Sequence, residues 1–159
     1  MKQVVGVSDM KVSSDLEDVL VTYSLGSCIG LTLYDQDAQI GGMVHTMLPL
    51  SRKNPERAKA CPAMFTDSGV MALIQELLDR GASKQNLIAC AAGGAAVMDE
   101  NGVFKIGERN YTMLKKILWK NDILLSAEDI GGTQARTLSL YMEDGRTTVY
   151  ADRTERDLV

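Results

Sequence analysis

Residues 22–45 constrain this chain more than any other stretch: T-Y-S-L-G-S-C-I-G-L-T-L-Y-D-Q-D-A-Q-I-G-G-M-V-H. Residues 29–35 and 39–48 are rich in β-branched and apolar side chains and read as paired strands, with the polar D-Q-D-A as their turn. The stretch ends on His45, the one histidine in the protein, and contains Cys28, one of three cysteines. If a thiol–imidazole pair operates here, its imidazole is His45. A turn centred between Gln36 and Asp37 sets Cys28 directly opposite His45, where Cβ atoms on one face stand roughly 4.5–5.5 Å apart. A slip of one residue sends one of the two to the other face.

A thiol gains from such a neighbour. A free thiol is mostly protonated at neutral pH, and an imidazole within hydrogen-bond reach takes the proton and leaves an ion pair that lowers the thiol pKa. Gly26 allows a tight, positive-φ turn between the strand ending at Ser24 and the next one. Backbone N–H groups near Ser27 and Cys28 then point at a developing oxyanion. A second reading stands beside this one. Free cysteine often just packs in a core, and a lone histidine is commonly structural. Spacing alone leaves both open.

At 159 residues the chain reads as a single domain over 1–159 with a substantial core. Its 45% hydrophobic content argues against disorder. The net charge of −4 is scattered, and no basic block suggests nucleic acid or a lipid surface. No stretch approaches the ~18–20 consecutive apolar residues of a membrane span, and the first ten residues lack a signal-peptide core. Cys28, Cys61 and Cys90 match no zinc or redox spacing, so a reduced, cytoplasmic setting is expected, with no metal and no cofactor. The nine methionines read mainly as core filler.

Strands are expected at 2–7 and 18–23, with a polar turn region between them, followed by the hairpin. Residues 50–63 form a polar loop carrying two prolines, placed just beyond the candidate site. Residues 67–80 are the clearest helix, with Val70, Leu73, Ile74, Leu77 and Leu78 on one stripe, Thr66 as N-cap and Gly81 at C′. A buried strand at 86–92 runs into Gly93-Gly94, where close backbone packing explains the glycines better than a phosphate loop does. A second helix spans about 107–120, with Tyr111, Leu114, Ile117 and Leu118 inward and Asn121 as its stop. Strands follow at 122–128, 136–142 and 146–151, with E-D-G as a hairpin turn. The last ~8 residues are polar and expected to fray. Two helices between groups of strands, with no βαβ alternation, predict an α+β fold of mostly antiparallel or mixed sheets with helices covering them.

L-G-S-C at 25–28 followed by I-G-G-M-V-H-T-M-L-P at 40–49 resembles the CheD family, the chemoreceptor glutamine deamidases of bacterial chemotaxis. G-A at 81–82, G-G-A at 93–95, I-G-E-R-N at 106–110, D-I-G-G at 129–132 and Arg136 continue the likeness in order. The resemblance implies a cytoplasmic enzyme that converts receptor glutamines to glutamate. It also implies a sandwich-like fold shared with bacterial toxin deamidases. By the same resemblance Cys28 is the nucleophile, His45 the base and Thr22 the residue that orients the imidazole, with Ser27 and Gly26 supporting the oxyanion turn. Implied partners are the cytoplasmic helices of chemoreceptors and the phosphatase CheC. Ala135, Cys90 and Phe65 depart from the family pattern and bear on partner contacts rather than on the triad. Two other readings remain: a non-enzymatic adaptor that binds CheC or receptors, and another thiol acyl transfer, such as esterase or transglutaminase activity.

Overall fold

The computed structural model describes residues 1–96 and 105–159. In chain order the strands are β1 (Lys2–Val4), β2 (Asp9–Ser13), β3 (Val19–Leu25), β4 (Ile29–Asp35), β5 (Ile40–Thr46), β6 (Leu87–Gly93), β7 (Leu125–Ile130), β8 (Arg136–Tyr141), β9 (Thr147–Ala151) and β10 (Thr154–Asp157). The helices are α1 (Pro55–Ala60), α2 (Thr66–Asp79) and α3 (Ile106–Lys120). The strands make two five-stranded sheets, ordered β1-β3-β8-β9-β10 and β2-β5-β4-β6-β7. Both are mixed: β1 runs parallel to β3 and β6 parallel to β7, whereas the other pairs are antiparallel. The expected α+β class with mixed sheets is what forms.

Strand periodicity creates two cores. Along β4, Ile29, Leu31 and Leu33 point to one face and pack with Leu73, Leu77, Leu114 and Leu118 of α2 and α3. Tyr34 lies on the other face and packs between the sheets with Leu20, Leu25, Met43, Leu138 and Leu140. β4 and β5 are buried along their whole lengths because the first sheet covers one face and helices cover the other. His45 has the parity of Met43, so its side chain points between the sheets.

The helix ends follow their sequence signals, with one exception. Gly81 adopts φ +107 after α2, and the N–H groups of Gly81 and Ala82 donate to Leu78 O and Leu77 O, a Schellman closure. Asn121 ends α3, and Asp122 and Ile123 close it in the same way onto Trp119 O and Leu118 O. That closure delays the next strand, which begins at Leu125 rather than 122. Thr66 is the first residue of α2 and does not cap it; its hydroxyl is used elsewhere. Within the 50–63 loop, Asn54 caps the short helix α1 by accepting the Arg57 N–H, with Pro55 at its first position.

Three expectations are corrected. The polar region after β1 contains β2, an edge strand whose alternate residues Met10 and Val12 pack on the core between the polar Asp9, Lys11 and Ser13. The tail does not fray over 154–157: Asp152 and Arg153, at φ 52 and 62, make a two-residue type I′ turn, and β10 pairs antiparallel with β9. All four residues of β10 are exposed, so no apolar alternation marks it. The third correction is the hairpin register. Asp35 pairs with Ile40, and Gly30, not Cys28, lies opposite His45. Asp35 Oδ1 accepts the N–H groups of Asp37 and Ala38, each at 3.0 Å, and Gln39 adopts φ 53. The loop is therefore four residues long and centred between Asp37 and Ala38. The slip is two residues, so every side chain keeps its face.

Candidate active site

Thr22, His45 and Cys28 come from three consecutive strands or their edges. Thr22 is fully buried on β3, in the first sheet, and His45 is 1% exposed on β5, in the second. The two meet across the sandwich: Thr22 Oγ1 lies 2.7 Å from His45 Nδ1. The same oxygen lies 2.7 Å from Val5 O, to which it donates. A hydroxyl carries one hydrogen, and a carbonyl oxygen has none to give. The Thr22 hydrogen therefore goes to Val5, and Nδ1 must donate to Thr22. This fixes the tautomer with Nδ1–H, leaving the Nε2 lone pair free. Nε2 is buried and has no hydrogen-bond partner among the described residues. Burial without a compensating charge lowers the imidazole pKa from 6.5 to about 4, so the ring is a neutral base at neutral pH.

Cys28 is half-buried, in the three-residue link between β3 and β4. Burial pushes its thiol pKa up, opposed in part by its own backbone N–H. No hydrogen bond joins Sγ to Nε2 in this structure. At rest the thiol and the imidazole are thus both neutral, not the ion pair expected from the sequence, because burial penalises the charged form of both groups.

The link is tied down by its carbonyls. Gly26 O accepts from Ala95 N at 2.8 Å, Ser27 O from Asn110 Nδ2 at 2.9 Å and Cys28 O from Gly94 N at 2.9 Å. The N–H groups of residues 26–28 have no acceptor from another residue among those described. Gly26 itself does not take positive φ. That conformation falls at Ser24, φ 57, within a bulge between Thr22 and Leu25 in the β3–β8 pairing. Gly93, with φ +115, lies against the link so closely that a Cβ there would run into Cys28 O. Close backbone packing is therefore the role of this glycine, as expected.

Sequence reasoning missed Asn110. It is fully buried in α3, sharing the inward stripe with Leu114 and Leu118. A carboxamide on that apolar stripe was the available signal. Among the departures from the family pattern, Cys90 and Phe65 are buried, and Ala135 is exposed. No group of three or more His, Cys, Asp or Glu among the described residues is arranged to hold a metal ion. No helix among them is long and apolar enough to cross a membrane.

A half-buried thiol, a buried imidazole with a free Nε2 and a third group holding Nδ1 are the residue types that thiol-based acyl transfer uses. Comparison with known proteins narrows the class. The family model described as CheD chemotactic sensory transduction matches residues 47–151. The chain is 49% identical over 156 residues to a Solibacter usitatus protein named probable chemoreceptor glutamine deamidase CheD, covering 98% of this chain and 92% of that one. Relatives of the same name occur in Syntrophus aciditrophicus, 40% identical over 146 residues with 92% and 91% covered, and in Pyrococcus abyssi, 40% identical over 144 residues with 89% and 86% covered. The chain belongs to the CheD family. Thr22, Cys28 and His45 precede the segment that the family model matches.

Proposed function

We propose that this protein deamidates glutamine side chains of chemotaxis receptors, converting them to glutamate with release of ammonia. The relatives' name supplies the substrate class. The observation that carries the chemistry is the Val5–Thr22–His45 chain of hydrogen bonds, which presents Nε2 as a base.

The thiol of Cys28 attacks the δ-carbon of the substrate glutamine, and its proton passes to His45 Nε2. The oxyanion that forms is stabilised by N–H groups of the 26–28 link, including those of Ser27 and Cys28. Thr22 keeps its bond to Nδ1–H while the ring is positively charged. The Nε2 proton then goes to the departing nitrogen, the C–N bond breaks, and ammonia leaves a thioester on Cys28. Water attacks the thioester, giving its proton to Nε2. The C–S bond breaks, glutamate is released, and the proton returns to sulfur. Every step uses groups of this chain and water.

The same reading places the protein in the cytoplasm, with receptor cytoplasmic helices as substrate and CheC as a binding partner. It also holds the two-sheet core to be akin to that of toxin deamidases. Cys28→Ala, assayed by mass spectrometry on a receptor fragment, should abolish the ~1 Da amide-to-acid shift. Thr22→Ala should lower kcat at least about tenfold while the fold survives, and Thr22→Ser should restore most of it. Deamidation that persists in Cys28→Ala contradicts the mechanism. A wild-type protein that binds the fragment but leaves its mass unchanged favours the adaptor.

A further inference from the structure

The ladder between β4 and β5 ends where Ile29 faces Thr46. Beyond that pair the chains separate. Gly26 O and Cys28 O turn to the amides of Ala95 and Gly94, whereas the amides of Met47 and Leu48 both donate to Met64 O, at 2.8 and 3.1 Å. One side chain bridges the gap. Asn110 Nδ2 donates to Ser27 O and to Met47 O, each at 2.9 Å.

The orientation of that amide follows from its surroundings. Two carbonyl oxygens face one end of the group and need two hydrogens, which only the NH₂ can supply. The other end meets a donor: Thr66 Oγ1 lies 3.3 Å from Asn110 Oδ1 and 2.8 Å from Thr46 Oγ1. With Thr66 donating to Asn110, Thr46 donates to Thr66, and each hydroxyl hydrogen is used. A flipped amide would set its oxygen against two carbonyls in a fully buried place, leaving all three unpaired. Asn110 is therefore a fixed spacer between two chains that have no ladder bonds of their own at this point. One chain carries Cys28, next to Ser27. The other carries His45, two residues before Met47.

We propose that Asn110 is a positioning residue for the thiol–imidazole pair, setting the separation of Cys28 Sγ and His45 Nε2 by holding Ser27 and Met47 a fixed distance apart. The proposal rests on the reading of Cys28 and His45 as a working pair. A loop that shifts by about 1 Å at a reacting centre can lose as much as a hundredfold in rate, so a spacer of this kind governs kcat and leaves substrate binding alone.

The test reads the thiol directly and does not need a receptor. Iodoacetamide alkylation of Cys28 is followed by peptide mass spectrometry at neutral pH, with half-buried Cys61 as the internal reference. Four proteins are compared: wild type, His45→Ala, Asn110→Ala and the double variant. His45→Ala should slow Cys28 at least about tenfold against Cys61 in the wild-type background. In the Asn110→Ala background the same change should have less than about a twofold effect, because pair energetics uncouple when the spacer is lost. An equal His45 effect in both backgrounds overturns the proposal. No His45 effect in the wild type overturns the pair itself, a distinguishable failure. Should Asn110→Ala not fold, Asn110→Ser keeps one donor and should show an intermediate coupling; full coupling there counts against the spacer. The wild-type protein gives an independent readout, since alkylating Cys28 should shift the Asn110 side-chain amide signals in NMR, and unmoved signals contradict the link.

Discussion

At Thr22 a single hydroxyl hydrogen decides the chemistry of a residue on another sheet. Val5 O takes that hydrogen, so His45 Nδ1 must donate and Nε2 carries the lone pair. The cost is a polar nitrogen buried without a partner among the described residues, a feature often kept where a site needs it. The cost also shows in stability. The folded imidazole pKa of about 4 lies below the ordinary 6.5. Between those values the unfolded chain binds a proton that the folded chain refuses, so stability rises with pH. It is complete above about pH 6.5 and is lost as the pH falls towards 4, by about 3 kcal/mol in all. Urea unfolding across this range should show a steeper acid loss in the wild type than in His45→Gln. Parallel curves for the two proteins would contradict the burial of a neutral ring. The sequence singles out Cys28 and His45 as candidates because a lone histidine leaves a thiol only one imidazole. Thr22 was legible only through family resemblance, since nothing local distinguishes it from any strand threonine.

Among the elements, the hairpin and β6 together place Cys28, the proposed nucleophile. The hairpin itself was evident from two apolar runs and a polar turn, but its register was not. The D-Q-D-A segment fits more than one loop length, and the choice is made by the Asp35 carboxylate gathering the N–H groups of Asp37 and Ala38. The two-residue slip leaves Cys28 just outside β4, where Gly94, Ala95 and Asn110 hold it instead of ladder bonds. Gly93 is the point at which β6 presses on this link. Gly93→Ala would put a side chain at φ +115 and drive its Cβ into Cys28 O. It should cost at least about 2 kcal/mol in urea unfolding, from backbone strain and the displaced carbonyl together. A loss below about 0.5 kcal/mol would mean that the link is not packed as described. β10 escaped the sequence reading because all four of its residues are exposed, whereas β2 does alternate, Met10 and Val12 packing on the core, over a run of only five residues.

Across the whole molecule the site exists only where two sheets meet. Thr22 belongs to the first sheet and His45 to the second, Cys28 sits in the link that joins the two, and Asn110 reaches the site from the helical layer behind it. The class of the fold was readable from long helical stripes set between groups of strands. Its strand order was not, because β3 pairs with β8 across more than a hundred residues and no local pattern encodes that partner. The central claim is that packing of the two sheets delivers His45 to Cys28 as a neutral base through Nε2. One histidine per chain gives one set of imidazole signals, so ¹⁵N NMR at neutral pH tests it directly. The account predicts a neutral ring with the proton on Nδ1, and loss of that fixed tautomer in Thr22→Val. An imidazolium, or a proton on Nε2 in the wild-type protein, would contradict it.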